Sequence, residues 1–215
     1  MPFNKSCFIS YRQIPSDLYR AAVEDFYKEL EEEVLIWVAP LNSYVDLQRS
    51  NSNFISPTLA TTLCSSVCMV VFYTPPYFDL NYTHCAREYK AMEDLEAERM
   101  ALLGHTDKKT KGLIIPIVIR GWDSFPEEIK NERECYNFQD LILGKKISKN
   151  RKARAELTRI AKYIFERYKE LKGLLPDPCA GCTGYSYPSD DRALAWLTAL
   201  QAAGSARPGD GFPRV

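Results

Sequence analysis

Residues 67–73 (VCMVVFY) are the strongest apolar run in the chain, branched and aromatic and closed by Pro75 and Pro76. That is the pattern of a buried strand. Residues 85–100 then hold no Gly or Pro and are dominated by Ala, Glu, Lys, Leu, Arg and Met. They predict a helix that returns over the sheet. Cys85, Glu88, Met92, Leu95 and Leu102 share one stripe of that helix. All of these suit a core except Glu88, because a carboxylate costs free energy to desolvate unless something compensates it. Glu88 either lies at the helix start, favoured by the helix dipole and partly wet, or is a working carboxylate in a cleft. The carboxyl edge of an open α/β sheet is where ligands bind.

The same alternation runs through the rest of the chain. Residues 6–11 (SCFISY) predict a first strand, and Ser16 or Asp17 caps the helix that follows. Leu18, Ala22, Val23, Phe26, Tyr27 and Leu30 form its inward stripe. The unbroken run 34–39 (VLIWVA), stopped by Pro40, predicts a second strand covered on both faces. Residues 41–55 are polar and long enough for a functional loop. Ser56 and Pro57 start a short helix over 58–66. Residues 113–119 (LIIPIVI) predict a fourth strand, placed near an edge by Pro116. A helical turn over 125–130 and a weak fifth strand over 138–143 follow. The helix over 151–172 buries Leu157, Ile160, Ala161, Ile164, Phe165, Tyr168 and Leu171. Four or five such alternations predict an α/β fold: a three-layer sandwich around a four- to five-stranded parallel sheet. Tyr11-Arg12, Pro40 with its loop, 74–83 and 120–123 gather at the carboxyl ends of the strands.

Composition changes this picture little. The 215 residues suit one domain over 1–172 and an extension over 173–215, rich in Gly and Pro, with one helical island at 190–203. Formal net charge is zero, which argues against a nucleic-acid footprint. The basic block 145–154 reads as solvated surface. No run reaches the length of a membrane span and the amino terminus lacks the pattern of a signal peptide. Seven cysteines, several inside apolar runs, predict reduced core residues and a cytoplasmic setting. Cys179-Ala180-Gly181-Cys182 is half of a metal pattern with no second pair, so a turn or a packing segment is the reading and no metal is expected.

The familiar nucleotide signatures are missing. The first strand leads into Arg12-Gln13-Ile14 without glycine, and neither a dinucleotide fingerprint nor a phosphate loop follows. A flavodoxin-like redox role fits poorly for the same reason. No serine-hydrolase elbow or histidine-rich constellation is present. His105 lies in a polar loop; His84, one residue before Cys85, is placed to line the same cleft as Glu88.

The ordered set of short motifs resembles the TIR (Toll/interleukin-1 receptor) domain, in particular its bacterial members. Phe8-Ile9-Ser10-Tyr11 resembles the family's opening strand, and Ser56-Pro57 with Tyr73-Thr74-Pro75-Pro76-Tyr77-Phe78 its Ser-Pro-x-Tyr-Phe region. Cys85-Ala86-Arg87-Glu88 matches its Cys-x-x-Glu, and Ile115-Pro116-Ile117 its Ile-Pro-Val strand. The likeness covers about residues 5–172. It departs at Tyr82-Thr83-His84-Cys85, where many members carry Ser-x-Trp-Cys, so His84 stands at the tryptophan position.

The resemblance implies a flavodoxin-like fold and cleavage of NAD+ between nicotinamide and ribose, as in bacterial anti-phage signalling. NAD+ is then the substrate and no cofactor is required. It assigns the catalytic carboxylate to Glu88. Phe8, Ser10 and Arg12 are the cleft residues from the first strand, with Arg12 a candidate phosphate contact. Tyr44, Phe54 and Tyr77 are candidates to stack on a ring, and His84 to line the base site. The expected partners are other copies through TIR–TIR contacts, and a partner protein or effector. The alternative implied by the same family is a module that assembles without catalysis.

Overall fold

A computed structural model describes residues 3–38, 41–45 and 57–205. Five strands form one parallel sheet: β1 (Lys5–Tyr11), β2 (Asn42–Val45), β3 (Ser66–Tyr73), β4 (Ile114–Val118) and β5 (Tyr136–Asn137). Their order is β2-β1-β3-β4-β5. The helices are α1 (Asp17–Val38), α2 (Pro57–Cys64), α3 (His84–Leu103), α4 (Lys108–Lys111), α5 (Glu127–Glu132), α6 (Arg151–Leu171) and α7 (Asp190–Ser205). Helices α1 and α6 pack together on one face; α2 and α3 lie on the other. This is a flavodoxin-like α/β sandwich. Central β3 is buried along its whole length because helices cover both faces.

The run at 34–39 is not a strand. Residues 34–38 continue α1, and 39 lies outside the described residues. Leu30, Val34 and Val38, four apart, are buried, while Ile36 is 76% exposed. A helix needs only one stripe of the run inside, and the intervening apolar side chains are left facing outward. Trp37 instead packs on Phe165 of α6, ring centres 5.5 Å apart. Strand β2 follows four residues beyond the end of α1, starting at Asn42. At the head of α1, Tyr19 rather than Leu18 is buried. Leu102 is also exposed, at the open end of α3. The fifth strand is Tyr136–Asn137, not 138–143, although Phe138 still donates its N–H to the Val118 carbonyl at 2.9 Å.

Pro116 lies in the interior of β4, one strand from the edge. Ile119 donates its N–H to Tyr73, so odd positions of β4 face β3 with their donors. The absent donor of Pro116 therefore faces the β5 side. There the pairing starts only at Ile117 opposite Tyr136, and no ladder bond is lost.

The extension packs back on α3. Trp196 of α7 stacks on Tyr89 at 5.1 Å and 15°. Arg192 grips Asp94 with two hydrogen bonds of 2.8 Å, and Arg87 Nε donates to the Pro188 carbonyl at 2.8 Å. With the sheet on one side and α7 on the other, α3 buries a wider arc than a single stripe. Tyr89, Ala91, Glu96, Arg99 and Met100 join Cys85, Glu88, Met92 and Leu95. The cysteines are not all reduced: Cys64 at the end of α2 is disulfide-bonded to Cys182 of the extension. The disulfide takes the Cys182 sulfur, which is then not available to ligate a metal beside Cys179. Cys7, Cys68 and Cys85 are buried free thiols, as their apolar surroundings predict. Among the described residues no helix is long and apolar enough to cross a membrane.

Candidate active site

The chain passes from β1 to β2 on one side and from β2 over to β3 on the other. The sheet therefore reverses direction between β1 and β3, and in this architecture the carboxyl edge at that reversal is the ligand crevice. Strand pleating puts Phe8 and Ser10 on the same side of β1, and Arg12 follows just beyond its end. Tyr11 turns the other way and meets Tyr19 of α1.

Ser10 and Glu88 meet at this reversal. Ser10 Oγ donates to Glu88 Oε2 at 2.6 Å. Tyr77, in the 3-10 turn Pro75–Phe78 after β3, has its hydroxyl 2.6 Å from Ser10 Oγ. A serine has one proton, and a carboxylate can only accept it, so Tyr77 must donate to Ser10. The result is a directed relay, Tyr77 to Ser10 to Glu88, across 78 residues of sequence. All three side chains are buried, and Glu88 is 1% exposed. The partly wet carboxylate at a helix start is therefore not what the fold contains. Burial raises the Tyr77 phenol well above its ordinary pKa, with the nearby Cys85 and Glu88 adding to the rise and the Ser10 contact opposing it.

Arg12 and His84 both lie against Tyr82, just before α3. The Arg12 guanidinium sits 3.3 Å from the Tyr82 ring centre, and its Nη1 is buried with no hydrogen-bond partner among the described residues. His84 is buried, its ring 4.8 Å from Tyr82. Phe8 stacks on Tyr44 of β2 at 5.5 Å and 23°. Phe54 lies outside the described residues. Tyr77, expected as a stacking platform, is 0% exposed and acts through its hydroxyl. Glu88, Ser10 and Tyr77 thus converge on one hydrogen-bonded group. Arg12 and His84 form a second around Tyr82, and Phe8 and Tyr44 a third. Tyr82 entered the sequence reading only as the first residue of Tyr82-Thr83-His84-Cys85, with nothing in its spacing to assign it a site role.

A second polar cluster fixes α3 to the sheet, two turns beyond Glu88. Glu96 Oε1 accepts from Arg133 Nη1 at 2.7 Å, from the Leu113 N–H and from the Ile114 N–H at 3.3 Å. Arg133 Nε donates to Tyr89 at 2.8 Å. Glu96 and Arg133 are both buried, so each compensates the other's lost hydration. Tyr89 then carries the connection outward to Trp196. Sequence reasoning did not single out these side chains, because their partners lie far away in sequence.

Glu88 is in the wall of none of four well-formed cavities on the described surface. One of them, of about 430 Å³ at the carboxyl edge, lies between the residues after β4 and α7. A comparison with models of known protein families finds no match, and a comparison with curated proteins finds none either.

Proposed function

We propose that the chain is an NAD+-cleaving enzyme in which Glu88 is the catalytic carboxylate. One observation carries this reading: an acidic side chain, held by a serine hydroxyl at 2.6 Å, stands at the reversal point of a flavodoxin-like sheet. The resemblance of Cys85-Ala86-Arg87-Glu88 and Phe8-Ile9-Ser10-Tyr11 to TIR motifs points to the same residue.

The chemistry suits a single carboxylate. When the nicotinamide–ribose bond breaks, its electron pair goes to the ring nitrogen, and the pyridinium leaves as neutral nicotinamide. Positive charge then builds on the sugar carbon and ring oxygen. A carboxylate held in a low-dielectric site stabilises that charge, or orients the ribose hydroxyls. Water adds to the sugar and loses a proton to give ADP-ribose; addition of an adenine nitrogen gives a cyclic isomer. Ser10 fixes the Glu88 oxygen, and Tyr77 fixes Ser10. The orphaned Arg12 Nη1 suits an anionic oxygen of the diphosphate. His84 replaces the family's tryptophan near the base. Signalling in bacterial defence and activation by self-association belong to the same reading; so does a cytoplasmic setting, against which the Cys64–Cys182 disulfide counts.

Because Glu88 is 1% exposed, substrate reaches it only after a rearrangement, and the described conformation is the resting one. That burial is also the observation on the side of a second reading. In it the Tyr77–Ser10–Glu88 relay is structural and the chain is a non-catalytic assembly module. Separating the products of NAD+ at rising protein concentration distinguishes the two. The enzyme reading predicts nicotinamide with an equal amount of ADP-ribose or a cyclic isomer, and turnover per molecule that rises with assembly. NAD+ left intact in every assembled state would leave only the module.

A further inference from the structure

Three cysteines meet where the extension reaches the end of α2. Cys64, the last residue of that helix, is bonded to Cys182. Cys179, in the same stretch as Cys182, is a half-buried free thiol. The Cys182 N–H donates to the Cys179 carbonyl at 3.0 Å, so residues 179–182 close a turn. Such a turn holds its end Cα atoms within about 7 Å, close to the span that a disulfide needs. Cys179 Sγ also lies 3.9 Å from the Cys64 carbonyl oxygen. The free thiol therefore stands beside both members of the bonded pair.

Arg99 of α3 reaches the same place. Its Nη2 donates to the Cys64 carbonyl and lies 3.9 Å from Cys179 Sγ. Arg99 is buried, and its Nε has no hydrogen-bond partner among the described residues. Its hydrogen bonds there go to the Cys64 and Ser66 carbonyls and to Cys179 Sγ, and none goes to a carboxylate. A buried guanidinium is stabilised by an anion, and a cation beside a thiol favours the thiolate.

We propose that Cys64, Cys179 and Cys182 form a thiol–disulfide exchange site that moves the tether of the extension. The Cys179 thiol gives up its proton, and its sulfur attacks Cys182 Sγ. A Cys179–Cys182 bond forms, the Cys64–Cys182 bond breaks, and Cys64 leaves as a thiolate that takes up a proton. One disulfide and one thiol are present before and after, so no oxidant or reductant is consumed. A link from α2 to the extension becomes a link within the extension. Docking of α7 on α3 then rests on contacts such as Trp196 against Tyr89. Burial pushes the Cys179 thiol up to about 11, with Arg99 opposing the rise and Asp177 adding to it. Little of it is thiolate at neutral pH, so exchange in the docked chain is slow. The site is separate from Glu88 and does not depend on what Glu88 does.

Disulfide mapping of the oxidised full-length protein tests this. The protein is held without reductant near the ordinary thiol pKa of about 8.5, quenched in acid, cut with pepsin and weighed by mass spectrometry. Two linkages are expected, Cys64–Cys182 and Cys179–Cys182, in shares that settle to constant values and are the same in dilute and in concentrated protein. Cys179→Ser should keep Cys64–Cys182 and lose the second linkage entirely. Cys64–Cys182 as the sole linkage of the wild type at every time would overturn the proposal. So would a second linkage whose share grows with protein concentration, which would place the exchange between chains. Pairing of the buried Cys7, Cys68 or Cys85 would mean exchange through unfolded protein, and Cys64–Cys179 in place of Cys179–Cys182 would leave the tether on α2; either result would overturn it as well.

Discussion

Replacing Ser10 by alanine tests the relay from which the site is built. In the native chain Ser10 accepts from Tyr77 and donates to Glu88, both at 2.6 Å, with all three side chains buried. Ser10→Ala leaves the Tyr77 hydroxyl in the interior without its acceptor, which costs about 1–3 kcal/mol. It also removes a hydrogen bond to a carboxylate, about 1.5–3 kcal/mol. Since the two losses overlap, a destabilisation of about 3 kcal/mol is expected. Tyr77→Phe removes a donor but leaves Ser10 bonded to Glu88, so about 1 kcal/mol is expected. In the double variant no hydroxyl is orphaned, and the total should fall short of the sum by about 1–2 kcal/mol. Equilibrium urea unfolding, followed in parallel by circular dichroism and tryptophan fluorescence, measures all four proteins and checks two-state behaviour. Effects that add to within about 0.3 kcal/mol, or a Ser10→Ala change below about 0.5 kcal/mol, would refute the relay.

Three further outcomes follow from the packing of α3. Arg133→Met strands the buried Glu96 carboxylate and should cost about 3–5 kcal/mol in urea unfolding, most of it recovered in Glu96→Gln/Arg133→Met; equal losses in the single and double variants would contradict the pairing. Cys64→Ser opens a link spanning 118 residues, so the melting temperature should fall by the equivalent of up to about 5 kcal/mol, with reductant lowering the wild type but not the variant; a wild type indifferent to reductant would count against the bond. Burial pushes the Glu93 carboxyl up, but Lys90, Arg133 and Lys108 outweigh it and hold it below its ordinary value. Its stabilisation is therefore complete above the unfolded carboxyl pKa of about 4.3 and is lost as pH falls toward the lower folded value. Glu93→Gln should flatten the acid limb of the stability profile below that pH, and an unchanged limb would remove Glu93 from the account.

Much of this architecture was legible because periodicity reports burial directly. The strand at 67–73, the helix over 151–172 and the placement of Glu88 on the inner side of α3 all follow from it. Residues 34–38 misled because an apolar run reads as a strand when every position is assumed to be covered. The stripe Leu30, Val34, Val38 was present, but the outward Leu35 and Ile36, and Trp37 packed sideways on α6, hid it. Leu102 lost its place for the opposite reason: α3 is covered by α7 along its middle but not at its end, which no local pattern reports. Glu96, Arg99 and Arg133 are buried charges that the sequence reading did not single out. They are inside because their partners arrive from 17 or more residues away, Glu96 on the Leu113 backbone and Arg99 on the Ser66 carbonyl at 2.9 Å. The pairing of Cys64 with Cys182 has the same character, since spacing cannot choose between seven cysteines. The Ser10–Glu88 contact was partly legible: both residues were expected at the cleft, but the tyrosine that completes the relay was read as a ring and not as a hydroxyl.

The rate of nicotinamide release from NAD+ by wild-type protein and by Glu88→Gln, at matched assembly and with matched unfolding curves, bears most directly on the central claim. On the proposal that Glu88 is the catalytic carboxylate, Glu88→Gln should slow release by about a hundredfold or more. Equal rates in the two proteins, or no release from either, would contradict it.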